Sequence, residues 1–382
     1  MSQPIYDVVV VGSGPAGATT ARVAAERGLH VLLVDKKQEL GAPIQCSGAV
    51  SANALREANV TPNDEFVSTP IYGFAVYDTH GQATIVDYRN YRDEALGYVV
   101  DRRRFDRYLM TMAERAEVEV WLKTEAQGYA PRGDGSTEVY LSRFGRPLTV
   151  RTRVIVGADG LQSQVGKWAS LRTHIKLKEL ASCLQYVVDR VESNGLLEIV
   201  TGFEWAPGGY AWLFPKGHGY AEVGLGVIRT RTERDARWHL DHFMKHSFMA
   251  DRLSDCRILE VQGGGVPLAA PLKKQVADHI ILVGDAARHV NPITGGGIHT
   301  ALRGGLIAGH FLGDFLPTEE KPTAERLQEY HQRWLDELGH MMWKLYHVKT
   351  DIFRQQSIQQ QDQMLHQTLA SYFQPNSEFR KI

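Results

Sequence analysis

Val8-Val9-Val10-Val11-Gly12-Ser13-Gly14-Pro15-Ala16-Gly17 is an apolar strand run that leads straight into G-x-G-x-x-G, and two further pieces answer it far downstream. The chemistry of the first piece is that of a pyrophosphate cradle. Gly12 permits the tight strand-to-helix turn, Gly14 lets backbone approach the phosphates, and Gly17 lets the helix pack close to the strand. A helix starting at Pro15 and Ala16 points free N–H groups and its positive dipole end at the anion. It is expected to stop at Gly28, and the next strand, 30–34, ends at Asp35, 18 positions after Gly17. A carboxylate there accepts the ribose hydroxyls of an adenosine. The second piece is Gly157-Ala158-Asp159-Gly160 and the third is Val283-Gly284-Asp285-Ala286-Ala287. Three pieces in this order point to FAD, held by a domain that the chain leaves and re-enters. Asp285 is placed to take a ribityl hydroxyl. The turn Gly295-Gly296-Gly297-Ile298 then opens another helix, whose N-terminus can stabilise negative charge on the N1–C2=O edge of reduced flavin.

Other elements must carry the remaining chemistry. A loop at 41–48, containing Cys46 and Gly48, follows the second strand and runs towards the flavin end of the cofactor. A hairpin is expected from 71–77 and 83–88, turned at His80-Gly81, then a helix at 104–116 with Phe105, Leu109 and Met112 on one stripe. Strands near 118–122, 138–141 and 148–156 read as an antiparallel meander ending at Asp159. Longer alternating strands follow at 182–188, 197–203, 210–214 and 220–227, then an amphipathic helix at 233–246. From 306 onwards the pattern is helical, with apolar residues at Leu335, Met341, Met342 and Leu345 and a Gln-rich stretch at 355–363 that reads as a solvated helix or frayed end.

The expected fold class is α/β: a Rossmann-like FAD-binding domain, an inserted antiparallel β-sheet substrate domain and a helical C-terminal part. The boundaries are 1–68 with 96–168 and 270–310 for the first, 69–95 with 169–269 for the second, and 311–382 for the third. The chain has 382 residues and a net charge of −1, which argues against a nucleic-acid partner. Cys46, Cys183 and Cys256 are too few and too scattered for a disulfide framework or a zinc site, so no metal is expected. A reducing cytoplasm fits, with no room for a signal peptide before the first strand. No apolar stretch approaches the roughly 20 residues of a spanning helix, which leaves peripheral membrane contact.

With these pieces the chain resembles the flavoprotein family of aromatic hydroxylases, halogenases and geranylgeranyl reductases, over most of residues 5–310. Arg102-x-x-Phe105-Asp106 matches the family's arginine at the diphosphate-ribityl region, and Ala126 the position whose backbone meets the adenine. Tyr210-Ala-Trp212-Leu-Phe214-Pro215, followed after eight residues by Gly224-Leu225-Gly226, is similar to the Y-x-W-x-F-P…G-x-G pattern of geranylgeranyl reductases. Pro43-Ile44-Gln45-Cys46 resembles their flavin-side cysteine segment, although Ser47 intervenes before Gly48.

The resemblance implies FAD contacts from Gly12, Gly14, Pro15, Ala16, Gly17, Asp35, Lys36, Cys46, Gly48, Arg102, Ala126, Asp159, Gly284, Asp285, Gly296, Gly297 and Ile298. It implies an isoprenoid substrate held by Tyr210, Trp212, Phe214, Pro215, Gly224 and Gly226, with Cys46, Tyr210 and Trp212 nearest the chemistry. Alternation puts the three aromatic rings on one strand face, a flat apolar wall for a prenyl chain, and the two glycines leave its groove. The expected reaction is saturation of C=C bonds of geranylgeranyl chains, carried by a diphosphate, ether lipid, chlorophyll precursor or polyprenyl quinone. Hydride comes from reduced flavin and a proton goes to the second carbon. NAD(P)H or a ferredoxin-like electron-donor protein supplies the electrons. The alternatives are a monooxygenase or halogenase on the same scaffold, or a non-catalytic prenyl-binding protein. Membrane contact is expected through an apolar helix at 335–346.

Overall fold

A computed structural model describes residues 5–374 apart from Arg92, Glu319 and Glu320, so the last part of the expected 311–382 segment lies outside the described residues. The strand Ile5–Val11 lies at the centre of the first sheet. It pairs in parallel with Arg146–Gly157 on one side and Val31–Val34 on the other. Val8, Val9 and Val10 are fully buried, because both faces of this strand are covered. Helix Pro15–Glu26, with Gly28 left-handed just past its end, packs on one face beside Arg102–Arg115 and Ile298–Phe315. Asp101 caps the Arg102 helix by accepting from the N–H groups of Arg103 and Arg104.

The expected meander is corrected in one strand. Glu119–Trp121 lies parallel to Val31–Val34 at the sheet edge, and the antiparallel partner of Thr137–Arg143 is instead Thr124–Pro131. The chain turns at Lys123, φ 51°, so two short strands stand where one apolar run shows in the sequence. Gly128 and the alternation of exposed with half-buried positions hide the second of them.

The second sheet has seven strands, in the order Ile258–Pro267, Leu180–Val188, Tyr220–Ile228, Tyr210–Gly217, Leu197–Thr201, Gly73–Tyr77, Ala83–Asp87. Its pairs are antiparallel except Leu197–Thr201 with Gly73–Tyr77. Helix Ala236–His246, capped by Asp235, closes its back through Leu240 and Phe243. A three-stranded sheet of Ala49–Ser51, Gly97–Val100 and Val67–Ile71 completes the strands.

The C-terminal helices are Ala324–Trp334, His340–Arg354 and Ile358–Tyr372, the first two joined by a π-helical turn at Leu335–Gly339. Leu338, Met342 and Leu345 are buried and Leu335 packs on the core. The apolar stripe expected at a membrane is therefore spent inside the protein. The Gln-rich stretch is likewise structural: Gln361 is buried, and Leu365, Leu369 and Ala370 pack with Ile199 and Ile352 against the second sheet. Among the described residues no helix is long and apolar enough to cross a membrane.

Candidate active site

The phosphate cradle is fixed by backbone against backbone. Gly12 has φ +111°, and a Cβ there would lie 2.3 Å from the Ala158 carbonyl oxygen. A Cβ at Gly17 would lie 1.9 Å from the Gly12 carbonyl oxygen. Ala158 N–H in turn donates to Val11 O at 2.9 Å, so the second sequence piece locks onto the first. Gly14 faces open space at the N-terminus of helix Pro15–Glu26, with nothing within 4 Å of an added Cβ. That opening, ringed by free N–H groups, fits a diphosphate.

Asp35 is buried at the end of its strand. It accepts from Ser13 N–H at 2.8 Å and Lys37 N–H at 2.8 Å, and from the Ser13 hydroxyl at 2.5 Å. The carboxylate is thus anchored to the glycine loop with lone pairs still free for a ribose. Lys36 beside it points to solvent. Ala126 is half-buried on the strand Thr124–Pro131, opposite Leu141. Asp159 accepts from Val165 N–H at 3.0 Å through one oxygen, while its other oxygen is buried without a hydrogen-bond partner.

The three groups expected at the flavin end come together. Arg102 forks onto Asp106, with contacts of 3.0 and 3.1 Å, and its guanidinium also faces the Cys46 sulfur. Burial works against the charge on Arg102, but Asp106 and Cys46 more than offset it, so the guanidinium stays protonated. Burial pushes Asp285 up to about 6, with Arg102 opposing. Gly48, at φ +79°, must be glycine because a Cβ would lie 2.2 Å from Val100 O, and its N–H donates to Cys46 Sγ at 3.5 Å.

Between this end and the second sheet lies a cavity of about 440 Å³, within the range of ligand sites. Cys46, Gly48, Gly295, Gly296, Gly297 and Ile298 form one wall; Tyr210, Trp212, Phe214 and Gly226 form the facing one. Ring centroids stand 5.9 Å apart for Tyr210–Trp212 and 6.3 Å for Trp212–Phe214. Ile352, Phe353, Leu365, Tyr372 and Phe373 from the C-terminal helices close it over.

Two expected contacts are corrected. Pro215 does not line the cavity, because the pleat turns it to the other face of its strand. Gly224 does not line it either: a Cβ there would lie 2.6 Å from the Trp212 indole, so this glycine seats the ring. Tyr210 differs in a finer way. Its hydroxyl donates to Thr294 O, and burial raises its pKa, so it is a neutral strut between the sheet and the glycine turn.

Several residues at the site escaped the sequence reading. Ser47 Oγ donates to Gln185 Oε1 at 2.7 Å, and Gln185 Nε2 donates to Gln262 Oε1 at 2.5 Å, a buried chain pinning the Cys46 loop to the sheet. Gly264 makes that possible, since a Cβ there would lie 3.0 Å from Gln45 Cβ. Two glutamines inside alternating strands were the available signal. His299, lowered to about 4 by burial, is a neutral wall residue beside Gly296. Lys349 lines the cavity from a helix that carried no motif.

Residues 5–194 match the family described as FAD binding domain, and residues 179–266 that described as geranylgeranyl reductase catalytic domain. A digeranylgeranylglycerophospholipid reductase of Methanothrix thermoacetophila is 39% identical over 87% of this chain and 84% of its own length. Its counterpart in Methanocaldococcus jannaschii is 36% identical over 90% and 85%. A geranylgeranyl bacteriochlorophyll reductase-like protein of Thermoplasma acidophilum superposes with a TM-score of 0.88 at 26% identity, covering 100% of this chain and 98% of that one. The protein is accordingly an FAD-dependent oxidoreductase that saturates C=C bonds of geranylgeranyl chains, and the reductase reading stands over its alternatives. The chain belongs to the geranylgeranyl reductase family of FAD-dependent flavoproteins.

Proposed function

We propose that the substrate is a glycerophospholipid bearing geranylgeranyl chains, which one chain at a time enters the cavity between the Cys46 wall and the aromatic strand. The observation that carries this reading is that cavity: apolar, faced by three aromatic rings and closed over by the C-terminal helices. The names of the relatives in Methanothrix and Methanocaldococcus support the headgroup class. FAD, held by the glycine loop, Asp35, Arg102, Asp285 and the 295–298 turn, supplies when reduced the hydride for one alkene carbon.

The chain's own residues supply the rest. An isolated alkene carries no carbonyl to polarise, so as the second carbon takes the proton, positive charge develops at the carbon that takes the hydride and needs electron-rich neighbours. Trp212 and Phe214 present ring faces for that purpose. The apolar walls exclude water that would quench the charge. Cys46 stands at the wall nearest Arg102 and holds the proton for the second carbon; a proton leaving its sulfur leaves the charge beside the Gly48 N–H and the Arg102 guanidinium. Tyr210 positions the aromatic strand against the glycine turn rather than giving up its proton, because Thr294 O already takes it. Electrons come from NAD(P)H or a ferredoxin-like protein. Delivery of a lipid chain requires contact with a membrane surface, which co-sedimentation with liposomes tests.

The decisive assay is anaerobic. The purified protein is reduced with dithionite, a geranylgeranyl substrate is added, and flavin reoxidation is followed with mass spectrometry of the product. Reoxidation with two mass units gained per bond supports the reading. Reoxidation only by O₂, leaving an oxygenated product, overturns it.

A further inference from the structure

We infer that the part of the cavity around Lys349 is the seat of an anionic headgroup, a phosphate or diphosphate carried by the prenyl chain directly or through glycerol. This rests on the reductase reading above and adds to it where the polar end of the substrate goes. Lys349, on His340–Arg354, lines the cavity and is 8% exposed. An ammonium has three N–H donors and no acceptor. Its Nζ donates to Leu268 O, the one protein acceptor it has among the described residues, and lies 5.9 Å from the centre of the Tyr346 ring. Glu179 is the carboxylate in electrostatic reach, yet it accepts instead from the Tyr346 hydroxyl at 2.7 Å.

A second cation stands close by. Arg231 donates to Gln361 Oε1 at 2.7 Å and Phe353 O at 3.3 Å, and lies over the Phe353 ring at 4.5 Å. Gly208, another lining residue, leaves the room its side chain takes: a Cβ there would lie 2.6 Å from Arg231 Cδ. Arg288, further out, is also held by carbonyl oxygens, those of Ala270, Arg172 and His174. Neither Lys349 nor Arg231 forms an ion pair with a carboxylate among the described residues. Burial lowers both, Lys349 to about 8, with Arg231 adding repulsion and Glu179 opposing. A buried cation held only by neutral groups, as Lys349 is beside the half-buried Arg231, is costly unless a counter-charge joins it. Elsewhere on the wall Arg56 faces Glu94 at 3.7 Å, both exposed, so that charge is already balanced. The imbalance at Lys349 is what a phosphate offsets, the ammonium contacting it as a point charge and Arg231 adding positive field from outside the lining.

The test uses the flavin-loaded, dithionite-reduced enzyme under anaerobic conditions. Geranylgeranyl diphosphate and geranylgeraniol share one chain and differ in charge, and inorganic diphosphate serves as competitor. In Lys349→Met the half-saturating concentration of the diphosphate is expected to rise about 10- to 100-fold, while that of geranylgeraniol stays within about twofold. Should that variant melt early or lose flavin, Arg231→Gln provides the same contrast. Equal losses for both substrates, or a headgroup-selective loss in Arg56→Ala instead, overturn the proposal. So does Lys349-dependent binding of inorganic diphosphate with no preference for the charged lipid, which makes the site one for a free anion. If the wild type reduces neither substrate, it is the reductase reading that fails; if it reduces both equally well, only the headgroup assignment does.

Discussion

The glycine loop and the aromatic cavity wall hold their ligands by opposite means. In the loop the decisive contacts are backbone on backbone: Ala158 O against Gly12, and Gly12 O against Gly17. Nothing there can swing aside, so one methyl group is too many. In the cavity each decisive contact involves at least one side chain, Trp212 over the Gly224 backbone and Leu365 with Leu369 over Ile199, and rotamers can adjust. The first kind of site selects a cofactor by geometry that is nearly all-or-none. The second selects a class of substrate by shape and polarity, and tolerates variation within it.

Substitution in the loop should have the largest effect. Gly17→Ala puts its Cβ on the Gly12 carbonyl and is expected to yield protein without flavin, read from the visible absorption of the purified sample. Full flavin content there would break the comparison outright. Next comes Leu369→Ala, which empties a fully buried position of the helix over the cavity. About 2–5 kcal/mol of stability should be lost in denaturant titrations, with flavin retained and the KM for the prenyl substrate raised. Flavin loss as complete as in Gly17→Ala would show that the two regions are one mechanical unit.

Asp285 stands where the regions meet, and pH probes it. Its carboxyl titrates near 6 in the fold against 3.8 as the ordinary value, so the folded state binds the proton more tightly. Stability of flavin-free protein should therefore fall as pH rises from about 4 to about 6, by on the order of 2–3 kcal/mol, and Asp285→Asn should remove that slope. A slope unchanged in the variant would assign it to other groups. The smallest effect belongs to Tyr210→Phe, which removes one hydroxyl. A loss of about 1 kcal/mol in stability is expected, with turnover reduced only modestly, since Thr294 O already occupies the proton. Abolished turnover with unchanged stability would make Tyr210 a proton donor after all. Cys46→Ser sharpens the same point from the other wall: slower turnover with an unchanged flavin spectrum and melting point supports its place in the proton path.

What the sequence determined by itself lies where a local constraint has one solution. The strand, Gly12, Gly14, Gly17, the helix and Asp35 follow from steric rules acting within thirty residues. The face shared by Tyr210, Trp212 and Phe214 follows from the pleat alone. Tertiary structure decided whatever depends on which surfaces meet. Glu119–Trp121 became a parallel edge strand because Val31–Val34 offered a free edge, which no local pattern announces. The apolar stripe from Leu335 to Leu345 suits a membrane or a core equally well, and packing against the sheets chose the core. Lys349 looks in sequence like any helical surface lysine; its burial arises because the helix lies over a cavity assembled from segments scattered between Gln45 and Phe373. Periodicity records that a face is apolar, but the identity of the partner across it is a long-range property, fixed only when the whole chain has folded.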